Sequence, residues 1–521
     1  MSSLDDAHKD IANTTTQNKK QNLHTLYWNM VFTNPNQFKL NGEAEMFLRK
    51  ASLENKETIK TQKNSRTIEH GIKNKRYTED KFLFHVPIKL NFCREERRLN
   101  NKVNSAIASN FDNLHVIGID RGEKHLAYYS VIDTKGNIVE QGTLNSDLQG
   151  QNYAEKLENL ARQRDEARKS WQEIGTIKEL KDGYVSQVVR RIADLVIKYN
   201  GIVVLEDLNT GFKRGRQKIE KSVYQKLELA LAKKLNFLVD KSAQDGEVGS
   251  PSRALQLTPL INNFGEMEKW KQWGVLFYTR AAYTSITDPI TGFRKNIFLP
   301  RDTVKSMREA ILNFDGINYD QTKNAYYFTY DPSNFKGNKC SSQTWTIYSC
   351  VDRIINKRNK ESGKWESHPI NATEKLNDLL ASHNINKNLP ILPQIEARND
   401  LPGKFYEELI WCINLILQLR NSDSSNNTDF IQSPVEPFFN SRIHEKTGRQ
   451  SDGKDIANLP TCGDANGAYN IARKGLIMLK KIRQNPEKPD LFVSDEEWDQ
   501  FNHMSYKNQR NEKQASLAKI V

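Results

Sequence analysis

Three acidic side chains stand where this sequence leaves or enters an apolar element. Asp120 closes the run HVIGID, Glu206 closes IVVLE, and Asp464 opens DANGAYNIARKG. Carboxylates brought together without a counter-charge repel and raise one another's pKa, so such a trio calls for a cation. Oxygen-only ligands select a hard ion, and Mg2+, or Mn2+ in its place, is held by a few carboxylates while keeping waters and phosphate oxygens. Two such ions about 3.5–4 Å apart activate a water and stabilise the leaving oxygen in phosphodiester hydrolysis. Each acid also has a plain structural role: Asp-Arg-Gly as a turn, Glu-Asp-Leu-Asn as a strand exit, Asp464 as an N-cap. Their joint occurrence at element ends favours the metal.

For that chemistry the elements must bring the three acids to one place. HVIGID, KHLAYYSVID and GNIVEQGTL read as three strands of a meander, with turns at Arg121-Gly122 and around TKGN. Residues 182–201, DGYVSQVVRRIADLVIKYNG, place Val188, Ile192, Leu195, Val196 and Tyr199 at helical spacing, with Gly201 at the stop. IVVLEDLN follows as a short buried strand, then a helix over roughly 218–238 and a strand GVLFYTRAAYTS over 274–285. Residues 464–479 form a helix with Ala468, Ile471, Ala472 and Leu476 on one face. Strand with terminal Asp, two strands, helix, strand with terminal Glu, and a later helix opening on Asp is the order of acids in the ribonuclease H fold. In open α/β sheets ligands gather beyond the carboxyl ends of strands, where Asp120 and Glu206 could meet.

The chain has 521 residues, enough for several cores. Lys and Arg outnumber Asp and Glu by 77 to 64, a net charge of +13, which suits a polyanionic partner, nucleic acid first. Within the charged segment 152–172, Arg162, Arg164, Arg168 and Lys169 could grip phosphates, although an exposed salt-bridged helix is the ordinary outcome of such a run. The five cysteines are scattered with no CxxC, so neither a disulfide framework nor zinc is expected, and a reducing cytoplasm fits. The polar start is no signal peptide, no run approaches about 20 apolar residues, and residues 1–21 are expected to be disordered. Residues 22–95 read as a small β-rich module, and residues 287–455 change character toward polar loops, short strands and one apolar helix, EELIWCINLILQLRNS.

At IGIDRGEKHLAYYSVID, VVLEDLNTGFKRGR with VYQKLELALAKKLNFLVDK, and DANGAYNIARKG, the sequence resembles the type V-A CRISPR-associated, RNA-guided DNA endonucleases of prokaryotes, in their carboxyl-terminal half. The three stretches are similar to the pieces of that family's split RuvC domain, and the likeness runs from NLHTLYW to about residue 500. It implies an α/β, RNase H-like (RuvC) nuclease core with an inserted α+β Nuc domain and a small N-terminal β-rich wedge module. The implied segments are a partial wedge over 22–95, RuvC parts over 96–151, 173–286 and 458–521, a bridge helix over 152–172 and a Nuc domain over 287–457. Asp120, Glu206 and Asp464 inherit the metal-binding catalytic acids, and Arg420 and Asp429, in LQLRNSDSSNNTDFIQSPV, a functional arginine and nearby acid. Arg420 could guide a single strand by bidentate phosphate contact. Trp171 matches the tryptophan that anchors the bridge helix, Lys213 and Arg214 join the nucleic-acid-binding set, and Lys73, in IKNKRYTEDKF, matches a lysine of metal-free guide processing.

The partners so implied are a guide RNA and single- and double-stranded target DNA, bound by a cytoplasmic monomer. No counterpart of the family's helical recognition lobe precedes residue 22, so the reading is of a nuclease half whose guided recognition needs that lobe. The competing reading is a truncated or split effector that only binds RNA and DNA. Compact transposon relatives, which carry paired CxxC motifs, fit less well.

Overall fold

The computed structural model describes residues 22–502 except 34–35, 37–38, 52–57, 64–65, 72–77, 90–91, 122–126, 146–176, 208–220, 245, 268–270, 281, 337–342, 351, 364, 425–427 and 444–458. The expected disorder of 1–21, the segment 152–172 and Lys73 therefore fall outside the described residues. Two compact units form, Met1–Arg94 with Lys233–Leu260, and Glu95–Ala232 with Ile261–Val521. Residues 233–260 thus pack with the N-terminal segment, a division that the 173–286 reading does not draw.

The first unit opens with helix α1 (Leu23–Thr33) rather than a strand. Asn22 supplies the reason: its Oδ1 accepts from Thr25 N at 2.8 Å and its backbone O from Leu26 N at 3.2 Å, which caps a helix start. Strands β1 (Lys39–Leu40), β2 (Glu45–Arg49), β3 (Thr58–Lys63), β4 (Arg66–Gly71), β5 (Lys81–His85) and β6 (Ile88–Lys89) make three antiparallel ribbons, β1 with β6, β2 with β5 and β3 with β4. Cys93 and Gln256 exchange two hydrogen bonds, of 2.8 and 2.6 Å, that fasten the 233–260 segment into this unit.

In the second unit α2 (Glu96–Ser109) precedes β7 (His115–Asp120), β8 (Tyr128–Asp133) and β9 (Ile138–Thr143), the expected meander. Helix α3 (Ile177–Tyr199) leads into β10 (Gly201–Glu206). The left-handed residue between them is Asn200, at φ 46°, and not Gly201, which already belongs to the strand. Helix α4 (Lys221–Leu235), β11 (Gln272–Trp273) and β12 (Leu276–Thr279) follow. The expected strand over 274–285 stops at Thr279 because Tyr283 turns left-handed, at φ 66°, into a 3-10 turn at Thr284–Ile286.

The six strands lie in the order β11-β12-β10-β7-β8-β9, with β7, β10 and β12 parallel. Val116, Ile117, Val203, Val204, Leu276 and Phe277 are fully buried, the continuous apolar pattern of strands covered on both faces. Each such side chain contributes about 1.5–3 kcal/mol.

Residues 293–459 supply a hydrophobic core of their own around Tyr326, Phe328, Phe405, Ile413 and Ile431. Its elements are α5 (Val304–Leu312), β13 (Gly316–Asp320), β14 (Ala325–Tyr330), β15 (Trp345–Tyr348), β16 (Arg353–Arg358), β17 (Trp365–Ile370), α6 (Ala372–Ser382), α7 (Ile391–Glu396), α8 (Gly403–Ile416), β18 (Arg420–Asp423) and β19 (Thr428–Ile431). The apolar helix read through NS ends at Ile416, and Arg420 begins a strand whose partner is Ile431. Strands β18 and β19 pair antiparallel as a hairpin and so satisfy their backbone across the ladder instead. Buried Arg353 clamps the base of this hairpin, donating to Ile416 O at 2.8 Å and Gln432 O at 2.9 Å.

Helix α9 (Gly463–Gln484) lies on β7, β8 and β10, buried along most of its length. No helix among the described residues is long and apolar enough to cross a membrane.

Candidate metal and nucleic-acid site

Period-two alternation along β7 sends Val116, Gly118 and Asp120 to the face that α9 covers. A methyl added at Gly475 would lie 2.7 Å from Val116 Cγ1 and 2.6 Å from Val204 Cγ2. One added at Gly118 would lie 2.2 Å from Ala468 O, and at Gly467 its neighbour would be Asp120 Oδ2, at 2.4 Å. Small residues thus let a helix backbone press on the strand up to its terminal carboxylate. Val204 shares that face of β10, so Glu206, two residues on, does too. The parallel register sets Leu205 beside Ile119 and hence Glu206 beside Asp120 at the same sheet edge.

Asp464 enters from the first turn of α9 and is wholly buried. It is not the cap: Cys462 holds that position, its Sγ accepting from Ala465 N at 3.4 Å. The Asp464 carboxylate instead meets Arg420, whose Nη2 donates to Asp464 Oδ1 at 3.0 Å and to Asp429 Oδ2 at 2.7 Å. Arg420 Nε adds a second bond to Asp429 Oδ2 at 3.1 Å. Gly463 makes room for this pair, since a methyl there would lie 2.2 Å from Asp429 Oδ2. All five of Asp120, Glu206, Asp464, Arg420 and Asp429 therefore come to one edge of the sheet.

Glu206 accepts from Arg121 Nη2 at 3.1 Å on Oε2 and from the Thr284 hydroxyl at 3.4 Å on Oε1. Burial raises its pKa, with Arg121 opposing. Burial also holds Asp120 well above the usual carboxylate range, reinforced by Glu206 and Asp464 and opposed by Arg420 and Arg121. Four carboxylates facing two guanidiniums leave the site acidic when all are ionised. Burial pushes the nearby Lys474 ammonium down to about 8, with Asp495 and Glu206 opposing. Next to Glu206, Asp207 pairs with Lys271 at 2.5 Å, and burial pushes Glu228 up to about 8.

The donor chemistry fits a hard divalent cation: carboxylate oxygens only, one of them on a sealed acid whose pKa is raised by burial and by two neighbouring acids. The expected clasp around one ion is, however, not closed. Among the described residues no three His, Cys, Asp or Glu side chains are grouped to hold a metal. The physical reason lies in Arg420, whose guanidinium supplies the positive charge at Asp464.

Sequence reasoning passed over Arg121 as an ion-pair partner, Thr284, and the glycines under the carboxylates. The four-residue spacing of Gly463 and Gly467 was the available sign of a close helix approach. Arg162, Arg164, Arg168, Lys169, Trp171, Lys213 and Arg214 lie outside the described residues. A family model described as the RuvC nuclease domain matches residues 93–511.

Proposed function

The chain belongs to the RuvC nuclease domain family and is a nuclease acting on nucleic acids; from that premise we propose that it hydrolyses DNA phosphodiester bonds with Mg2+ or Mn2+, as the nuclease half of a type V-A CRISPR-associated, RNA-guided effector. The single observation that carries the metal chemistry is the meeting of Asp120 and Glu206 on one face at the ends of adjacent parallel strands, under the helix that brings Asp464.

Asp120, Glu206 and Asp464 would hold the ions. Bound there, the ions would activate the attacking water and stabilise the leaving oxygen. Arg121 orients Glu206 through Oε2, leaving Oε1 to the weaker Thr284 contact. Arg420 is a planar fork already poised at the site, and were Asp464 to hold a metal, the Nη2 hydrogen it now accepts would be available to a phosphate oxygen of the strand. Asp429 keeps its bonds from Nε and Nη2 and so fixes the direction of the fork. The net charge of +13 supports a nucleic-acid partner, and guide RNA and target DNA in a prokaryotic cytoplasm are the ones proposed. Lys73 stays with guide processing in this proposal.

The Arg420–Asp464 ion pair favours a second reading, in which the chain binds RNA and DNA without turnover. Incubation of the full chain with single- and double-stranded DNA in Mg2+, with and without guide RNA, separates the two. Cleavage that chelator stops and that Glu206→Gln lowers more than about 10²-fold is expected, beyond the 10–100-fold that loss of a ligand's supporting partner costs. Cleavage persisting in chelator would contradict the proposal, and salt-sensitive binding with no turnover would establish the second reading.

A further inference from the structure

Helix α9 carries three more polar side chains at four-residue intervals, Asn466, Asn470 and Lys474, with 0, 0 and 3 % of their surfaces exposed. That spacing places them on one side of the helix, and all three donate to backbone carbonyls of one connector, the chain leaving β12. Asn466 Nδ2 reaches Thr287 O at 2.9 Å and Ser285 O at 3.3 Å. Asn470 Nδ2 reaches Thr284 O at 2.9 Å and Thr287 O at 3.1 Å. Lys474 Nζ reaches Arg280 O at 2.9 Å and Ala282 O at 2.8 Å.

Among its described residues the connector has no ladder of its own between Thr279 and the 3-10 turn, and Tyr283 sits left-handed within it. Buried carbonyls of such a segment need donors from elsewhere, and α9 provides them. A buried ammonium that hydrogen-bonds carbonyls is costly to keep, more so than an apolar side chain of its length. What the connector delivers is the Thr284 hydroxyl, 3.4 Å from Glu206 Oε1 and on the carboxylate oxygen that Arg121 leaves open.

We propose that Asn466, Asn470 and Lys474 are positioning residues: by clamping the 280–287 connector they hold Thr284 against Glu206 and so set the direction of that carboxylate beside Asp120. The inference rests on the reading of Glu206 as a metal ligand. It gives α9 two tasks, bringing Asp464 to the site by its first turn and aiming Glu206 by the polar rungs that follow.

The test uses the full chain in two measurements. Mn2+ alone is titrated by calorimetry into the unsubstituted protein, Thr284→Val, Thr284→Ser and Lys474→Met, and the metal-free proteins are crystallised. Thr284→Val and Lys474→Met are expected to weaken Mn2+ about tenfold, the lower end of what loss of a ligand's supporting partner costs, while Thr284→Ser restores the affinity. In the crystals the Glu206 carboxylate is expected to move by more than about 0.5 Å in both weakened variants, the tolerance of a preorganised site. Unchanged Mn2+ affinity with Glu206 in place would overturn the inference even if Lys474→Met melts earlier. If the unsubstituted protein takes no Mn2+, the metal reading alone fails and the Glu206 displacement decides. Should Lys474→Met not fold, Thr284→Val, which keeps shape and loses one hydroxyl, decides.

Discussion

Asp120→Asn is expected to lower metal-dependent cleavage by more than about 10²-fold and, in metal-free buffer at neutral pH, to raise stability by about 1–3 kcal/mol. Both effects come from one placement. The Asp120 carboxylate is sealed under Gly467, and burial together with Glu206 and Asp464 holds its pKa well above 3.8. Between the ordinary carboxylate value and the raised one the folded protein therefore keeps a proton that the unfolded chain has lost, and stability falls as pH rises through that window. Below the ordinary value both states are protonated and the penalty is absent. Asparagine removes the acid, so melting curves of the variant should flatten that fall. The same substitution removes an anionic ligand, which is why the more stable protein is the inactive one. A variant that melts lower than its parent at neutral pH, or that keeps its cleavage, would contradict this.

Gly118→Ala is expected to cost about 3 kcal/mol or more, the upper end for overpacking, and to lower cleavage by about 10²-fold. The added methyl would lie 2.2 Å from Ala468 O, 2.5 Å from Ala472 N and 2.8 Å from Ala472 Cβ. Two of those neighbours are helix backbone, which cannot rotate aside as a side-chain tip can. Helix α9 must move off β7, and Asp464 moves with it, away from Asp120. A displacement of about 1 Å suffices for the loss of rate. Denaturant melts and cleavage rates of the same preparation check both; a variant with native stability would show that α9 does not press on the strand as described.

The three acids were legible because element ends are marked by composition: apolar runs stop at Asp120 and Glu206, and a helical pattern begins at Asp464. Alternation then decides the face, and the parallel register does the rest. Arg420 was placed by resemblance, but its double ion pair was not readable, since it depends on a hairpin where the apolar pattern runs on as helix. Cys462 as the cap of α9 escaped for a different reason: cysteine is a poor N-cap by type, so the better-suited Asp464 two residues later drew the assignment. The connector over 280–287 carries no periodicity, and its order comes from donors nearly two hundred residues away. The capped helix at Leu23–Thr33 was missed because aromatic residues favour strands by propensity, whereas the Asn22 cap is a local hydrogen bond.

The most direct test is diffraction from crystals soaked in Mn2+, recorded at its absorption edge. An anomalous peak about 2.0–2.2 Å from oxygens of Asp120 and Glu206, with Arg420 drawn away from Asp464 Oδ1, is the expected result. Soaked crystals with no peak at that sheet edge and the Arg420–Asp464 pair intact would contradict the account.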